Sequence, residues 1–153
     1  MIYDDLLELA DHLARRESRR PKQVSLRRAV SSAYYAVFHA LAYSCADALV
    51  GWSKPWHAVT PIYRSLDHGG AKRLFERDRS GTVFGPDIAA IGRDFIFLQQ
   101  ARHTADYDPQ PLSFGRNETI ELIGRAQNAV RLILAIPSDA RLVLAVNLIA
   151  KQR

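Results

Sequence analysis

The chain has 153 residues, of which 48% are apolar and 24% charged, so we expect residues 1–153 to form one globular domain with a single sizeable core. No apolar run approaches the roughly 20 residues of a membrane span, and the acidic start of the chain is unlike a secretory signal. The single cysteine excludes an internal disulfide, which favours a cytoplasmic protein.

The formal net charge of +5 is concentrated in one short stretch of the chain. Residues 15–28 contain seven Lys or Arg and one acid, whereas the rest of the chain carries 14 basic and 15 acidic residues. Such a patch is typical of a surface that contacts phosphates. A solvated turn between two helices explains the same stretch equally well, and both interpretations stay open.

Hydrophobic periodicity predicts an all-α fold. Apolar residues recur at helical spacing over four long segments, and prolines or a glycine follow each of them. We therefore expect an up-and-down bundle of four to five main helices. The long segments are 4–16, 22 or 25 to 49, 87–107, and the stretch from an N-cap at Asn117 to Pro137.

The remaining parts of the chain have a weaker pattern. Shorter helices are expected at 57–66 and 71–77, with an exposed loop at 78–86 between the second of them and the next long helix. Residues 138–153 fit either a last helix or a strand, because propensity alone does not decide between the two. We prefer the helix, since everything before this segment is predicted to be helical.

The second long segment carries a stripe of polar side chains spaced by 4, 3 and 4 residues, which aligns them on one helix face. The stripe consists of Arg28, Ser32, Tyr35 and His39. An arginine and a histidine on one face could bind a phosphodiester, with the histidine as general acid or base near neutral pH. Alternatively, the stripe is a buried polar seam between helices, in which Arg28 pairs with Asp106.

Arg102, His103 and Asp106 form a second polar group near the end of the segment 87–107. Arg102 and Asp106 are four residues apart on the face that the periodicity turns inward, so we expect an ion pair between them. The functional alternative places Arg102 at a cleft or dimer seam, where it would hold a phosphate. His103 lies about 100° around the helix from Arg102, so the two would not readily serve one small site.

Other chemistries have little support in the sequence. The five histidines are scattered without the spacing of a zinc site, so we expect no metal and no cofactor. No serine lies in a nucleophile-elbow sequence, and no glycine-rich loop joins a strand to a helix. Trp52 and Trp56 could stack on nucleobases, although aromatic residues in a connection more often cover the core.

Two stretches of the chain resemble a known family. SLRRAVSSAYYAVFHAL at 25–41 and ARHTADYDP at 101–109 are similar to the motif-bearing helices of HEPN domains (higher eukaryotes and prokaryotes nucleotide-binding). The likeness is to the prokaryotic branch with an AYYA-F-HA helix and a later helix ending in R-x-x-ADYD. The predicted order of helices agrees with that family over most of the chain.

The resemblance implies a compact helical bundle that forms a homodimer through the motif-bearing helices. Many relatives are metal-independent endoribonucleases of toxin–antitoxin or defence systems, often encoded beside a small nucleotidyltransferase partner. In these nucleases an arginine and a histidine, with four to six residues between them, meet at the dimer seam. Here Arg102 matches the arginine, and the histidine positions hold Tyr107, Asp108 and Pro109, so His39 or His103 would have to replace the histidine.

We therefore expect a protein that binds RNA, a nucleotide or a nucleotidyltransferase-type partner, with an active ribonuclease and a structural helical adaptor as alternatives. In the ribonuclease, Arg102 would hold the phosphate and His39 would transfer protons. No membrane contact is part of this expectation. The residues expected to bind RNA or substrate are Arg19, Arg20, Arg27, Arg28, Ser32, Tyr35, Asp106 and Tyr107.

Overall fold

The computed structural model of the protein describes residues 1–150, and this part of the chain is all-helical, as predicted. It contains seven α-helices joined by short connections, and no strand occurs between residues 1 and 150. The helices are α1 (Ile2–Arg15), α2 (Gln23–Leu49), α3 (Trp56–Tyr63), α4 (His68–Arg77), α5 (Pro86–Tyr107), α6 (Arg116–Leu134) and α7 (Ser138–Ile149).

Helix α2 is the centre of the fold and packs against α1, α3, α5, α6 and α7. Most of its circumference is buried, because the neighbouring helices exclude water from nearly every side of it. Alanines make this possible, since their short side chains let the neighbouring helices approach closely. The fully buried alanines of α2 are Ala29, Ala33, Ala36, Ala40, Ala42 and Ala46.

The long helices begin and end within three residues of their predicted bounds. Gly51 follows α2 with a φ of +98°, a conformation that glycine adopts without strain, and Pro86 occupies the first turn of α5. The predicted N-cap Asn117 is wrong. Gly115 is the N-cap of α6, and its N–H donates to the Glu118 carboxylate at 3.0 Å.

The short helices are shifted relative to the prediction. Helix α3 ends at Tyr63 rather than at residue 66, and α4 begins at His68 rather than at residue 71. The earlier start of α4 has a local cause, because the Asp67 carboxylate caps it by accepting a hydrogen bond from the Gly70 N–H at 2.6 Å. His68 therefore lies in a helix that packs against α5.

The loop predicted at 78–86 is present, although its first residue, Asp78, is buried. The carboxylate of Asp78 accepts hydrogen bonds from the N–H groups of Val83 at 2.8 Å and Phe84 at 2.9 Å. The Asp78 side chain therefore joins the beginning of the loop to its end. The tail is helical, as preferred, over residues 138–149, and residues 151–153 lie outside the described residues.

Candidate functional site

Arg102 lies on the inward face of α5, at the contact with α2. Its side chain is only 12% exposed. The guanidinium carbon lies 5.2 Å from the ring centroid of Tyr34 and 5.6 Å from that of Tyr35. Cation–π attraction to two rings holds the guanidinium in place. The two stretches that carry the resemblance therefore meet at this point in space.

Asp106 forms the predicted ion pair with Arg102, at 3.7 Å between Oδ2 and Nη1. The same carboxylate oxygen accepts a hydrogen bond from the Ser31 hydroxyl at 3.3 Å. The ion pair is loose, because N–H···O hydrogen bonds are about 2.7–3.2 Å long. The Nε of Arg102 is buried and has no hydrogen-bond partner among residues 1–150. Arg102 therefore keeps a donor that the described residues do not use.

Two histidines lie in the same aromatic cluster, and each shares a hydrogen bond between Nδ1 and a tyrosine hydroxyl. His39 bonds to Tyr63 at 2.6 Å, and His68 bonds to Tyr34 at 2.6 Å. His68 also stacks on Phe38, with ring centroids 3.8 Å apart and planes 17° from parallel. These contacts fix the orientation of both imidazole rings.

The environment of both histidines lowers the pKa of the imidazole and so favours its neutral form. Burial lowers the pKa of His68, and the positive charge of Arg102 lowers it further. Burial also lowers the pKa of His39. Tyr34 connects His68 to Arg102, because its hydroxyl bonds to the imidazole while its ring faces the guanidinium. A neutral histidine so near an arginine could accept a proton from a ligand whose phosphate the arginine holds.

Sequence reasoning missed His68 and Tyr63, which both come from short helices with weak periodicity. Tyr63 is the last residue of α3, and His68 is the first residue of α4. The available signal for His68 is Asp67, since an aspartate ahead of a helical segment marks an N-cap. That signal would have started the helix at His68, but no sequence pattern places this residue beside Arg102.

The polar stripe of α2 divides into two parts in the structure. Ser32, Tyr35 and His39 are half-buried, and the rings of Tyr35 and His39 join the aromatic cluster with centroids 6.5 Å apart. Arg28 is exposed and lies about 16 Å from His39 along the helix axis, given a rise of about 1.5 Å per residue. Arg28 and His39 therefore do not hold the same phosphate.

Arg28 instead lines an open surface pocket of about 370 Å³ together with Asp106 and Tyr107. No ion pair joins Arg28 to Asp106 within residues 1–150. Tyr107 is 67% exposed, and its ring centroid lies 5.0 Å from that of His103. This pocket is a second place at which predicted binding residues come together.

His103 and Arg102 line the same small pocket of about 170 Å³, although their separation around α5 predicts different surfaces. Gln99 lines it as well, and its Oε1 is buried without a hydrogen-bond partner among residues 1–150. The Gln99 Nε2 is used, since it donates to the backbone carbonyl of His68 at 3.3 Å. The Gln99 Oε1 and the Arg102 Nε, neither of which has a hydrogen-bond partner among residues 1–150, thus lie at one side of the Arg102 site.

The basic stretch 15–28 is only partly available to a ligand. Arg27 is occupied, because its guanidinium donates to backbone carbonyls at the end of α5, including that of Ala105 at 2.9 Å. Arg19 and Arg20 are exposed in the turn between α1 and α2. Two of these three predicted RNA-binding arginines therefore face solvent, while the third joins two helices.

The turn between α1 and α2 is itself held in place by Arg116 of α6. The Arg116 guanidinium donates to the carbonyls of Ala14 at 3.0 Å and Arg19 at 2.8 Å and to that of Glu17. Glu17 also accepts a hydrogen bond from the Ser25 hydroxyl at 2.7 Å. The exposed arginines of this turn consequently project from a fixed backbone.

No group of three or more His, Cys, Asp or Glu side chains within residues 1–150 could hold a metal ion. In the same part of the chain, no single helix is long and apolar enough to cross a membrane. The pair α6 and α7 meets that test only together, across a bend of 110°.

Comparison of the chain with family models, with curated proteins and with solved structures returned no match.

Proposed function

We propose that the chain is a HEPN-type helical protein that binds RNA or a nucleotide through Arg102 and the aromatic side chains around it. The observation that carries the proposal is the Arg102 guanidinium, which lies beside the rings of Tyr34 and Tyr35 and lines a surface pocket of about 170 Å³. An arginine of this kind can donate to a phosphate oxygen, and its planar fork of donors suits phosphate better than the point charge of a lysine.

The arrangement of the helices supports the HEPN-type part of the proposal. Helices α1, α2, α5 and α6 have 14, 27, 22 and 19 residues and are the main helices of the proposed bundle. The stretches that carry the resemblance lie on α2 and α5, which pack against each other. A homodimer through these helices, a nucleotidyltransferase-type partner and a role in a toxin–antitoxin or defence pair belong to the same proposal.

Removal of the Arg102 guanidinium tests RNA binding. Arg102→Ala should weaken the binding of a labelled single-stranded RNA by about 10- to 150-fold, because a hydrogen bond to a charged group contributes about 1.5–3 kcal/mol. Fluorescence anisotropy across a salt series measures the affinity. Each lost phosphate contact should reduce the magnitude of the slope of log K against log salt by about 0.7. Arg131→Ala, at an exposed position of α6, is the matched control and should bind like the unaltered protein.

A thermal melt of each variant separates binding from folding, since Arg102→Ala also removes the ion-pair partner of Asp106. A folded Arg102→Ala protein that binds RNA as tightly as the Arg131→Ala variant would refute the proposal. A lower melting temperature with unchanged affinity would favour the structural adaptor, in which Arg102 only stabilises the contact between α2 and α5.

A metal-independent endoribonuclease is the second candidate function, and His68 favours it, since burial and the nearby charge of Arg102 lower the pKa of this histidine while Tyr34 joins the two side chains. In such a reaction a histidine takes the proton of a ribose 2′-hydroxyl and the 2′-oxygen attacks the phosphorus. The bond to the 5′-oxygen then breaks, that oxygen takes a proton from water, and a 2′,3′-cyclic phosphate remains. Arg102 would stabilise the developing negative charge. His68 is better placed than His39, because Tyr34 contacts both His68 and Arg102.

Cleavage of labelled RNA in excess chelator tests the ribonuclease. Activity that disappears in Arg102→Ala and in either His68→Ala or His39→Ala would support it. His57→Ala is the matched control, since His57 is exposed, and this variant should cleave normally. Equal cleavage by all four variants would assign the activity to a contaminant and reject this candidate.

A further inference from the structure

Trp56 is a large aromatic side chain that the fold leaves open to solvent. It is the first residue of α3, and 64% of it is exposed. Tryptophan is enriched where proteins bind other molecules, because its indole offers a large rigid face at a low cost in conformational entropy. Its surroundings decide what could bind there.

Trp56 is supported by an aromatic cluster. Its ring centroid lies 5.3 Å from that of Trp52, with the planes at 88°. Trp52 packs on Tyr43 at 4.7 Å and on Tyr63 at 5.8 Å, and its backbone N–H donates to Asp47 at 2.9 Å. An edge-to-face neighbour covers at most one face of an indole, so the other face of Trp56 is open to solvent.

The cluster under Trp56 is continuous with the Arg102 site. Tyr63 hydrogen-bonds to His39 at 2.6 Å, and their rings stack with centroids 5.8 Å apart. His39 lies 6.5 Å from Tyr35 between ring centroids, and the Tyr35 ring is 5.6 Å from the guanidinium carbon of Arg102. Half-buried rings therefore link Trp56 to the Arg102 site.

Two exposed cations lie near Trp56 in the chain. Residues 48–66 contain Lys54 and Arg64, and the two carboxylates that flank this range are engaged, since Asp47 lies 3.4 Å from Arg141 and Asp67 caps α4. Both side chains are exposed. Lys54 lies two residues from both Trp52 and Trp56 in the chain, and Arg64 directly follows Tyr63. Positive charge beside exposed aromatic rings is the combination that proteins use to bind single-stranded nucleic acid.

We propose that Trp56 is a base-stacking subsite, so that the ligand of the Arg102 site is single-stranded RNA with an unpaired base at this position. The inference rests on the proposed RNA binding and adds the form of RNA that the surface selects. Stacking on an aromatic side chain needs an unpaired base, because the faces of paired bases are covered inside a duplex. The subsite therefore favours single strands over duplexes and tolerates different sequences.

Replacement of Trp56 tests the subsite in the full-length protein. Trp56→Ala should weaken the binding of a labelled single-stranded RNA decamer by about 5- to 150-fold, the range that one stacked base covers. Trp56→Phe keeps an aromatic face and should bind more tightly than Trp56→Ala. An abasic oligomer of the same length provides the phosphates without the bases, and neither substitution should change its affinity.

The outcomes separate this inference from the proposed function. A loss of affinity in Arg102→Ala with no loss in Trp56→Ala would reject the subsite and leave RNA binding in place. Unchanged affinity in both variants would reject both. An equal loss with the abasic oligomer would show that Trp56 does not act by stacking. A change confined to self-association, seen by size-exclusion chromatography, would make Trp56 a protein contact, and this too overturns the subsite.

Discussion

Replacing Arg27 with alanine should destabilise the protein, although this residue belongs to the basic stretch that suggests phosphate binding. The Arg27 guanidinium reaches from α2 to the end of α5, where it donates to the carbonyls of Ala105 at 2.9 Å and Asp108 at 2.6 Å and to that of Gln110. The last carbonyls of a helix have no partner within the helix. Arg27 therefore satisfies backbone groups that would otherwise need water.

The burial of these bonds sets the size of the expected effect. A hydrogen bond from a charged donor contributes about 1.5–3 kcal/mol. The bond to Ala105 and a longer one to the Thr104 carbonyl at 3.5 Å are partly buried, whereas water can replace the donor at Asp108 and Gln110. A cation at the negative end of a helix dipole adds about 0.3–1 kcal/mol. We expect Arg27→Ala to lower the free energy of unfolding by about 2–4 kcal/mol and the melting temperature by about 5–15 °C.

Urea unfolding followed by circular dichroism measures the change, with Arg28→Ala as the matched control. Arg28 is the next residue in the chain and is exposed, so its removal should change the free energy of unfolding by no more than about 0.5 kcal/mol. If both variants unfold at the same urea concentration, the Arg27 bonds contribute nothing and this reasoning is wrong. Charge reversal aimed at RNA binding should accordingly use Arg19 and Arg20 and leave Arg27 intact.

Two further predictions concern the core and the histidines. Gly92→Ala should lower the free energy of unfolding by about 1–3 kcal/mol in urea, because the new Cβ would lie 2.7 Å from the buried Phe75 ring. Gly124→Ala, whose Cβ would meet nothing within 4 Å, should instead raise it by up to about 1 kcal/mol. Burial lowers the pKa values of His39 and His68 in the folded protein. As the pH drops below about 6.5, the unfolded chain therefore takes up protons before the folded protein does, and the melting temperature should fall. His68→Gln should reduce that fall, and an unchanged pH profile would contradict the assignment.

The long helices are predictable from the sequence because each has many residues at helical spacing and a strong breaker at its end. Helix α2, for example, is expected to end before Gly51, and the positive φ of that glycine explains why. The short helices α3 and α4 have too few residues for periodicity to locate their ends. The α4 boundary depends instead on one side chain, the cap of Asp67 on the Gly70 N–H.

The same distinction between local and distant contacts applies to the site. The pairing of Arg102 with Asp106 follows from a spacing of four residues on one helix, so the sequence is sufficient to predict it. The bond between Tyr34 and His68 joins residues 34 positions apart, and the bond from Arg27 to Ala105 spans 78. Contacts of this kind depend on how α2, α4 and α5 pack, which no single-helix pattern contains.

The helices that supply the histidines determine whether one chain or a dimer could form an active site. The resemblance implies a histidine shortly after Arg102 that meets its arginine at a dimer seam. At that position Tyr107 is 67% exposed. His39 and His68 reach the Arg102 cluster instead from α2 and α4 of the same chain. One copy of the chain therefore already places Arg102, His39 and His68 in one cluster of aromatic rings. The proposed homodimer would therefore not be needed to supply the missing histidine.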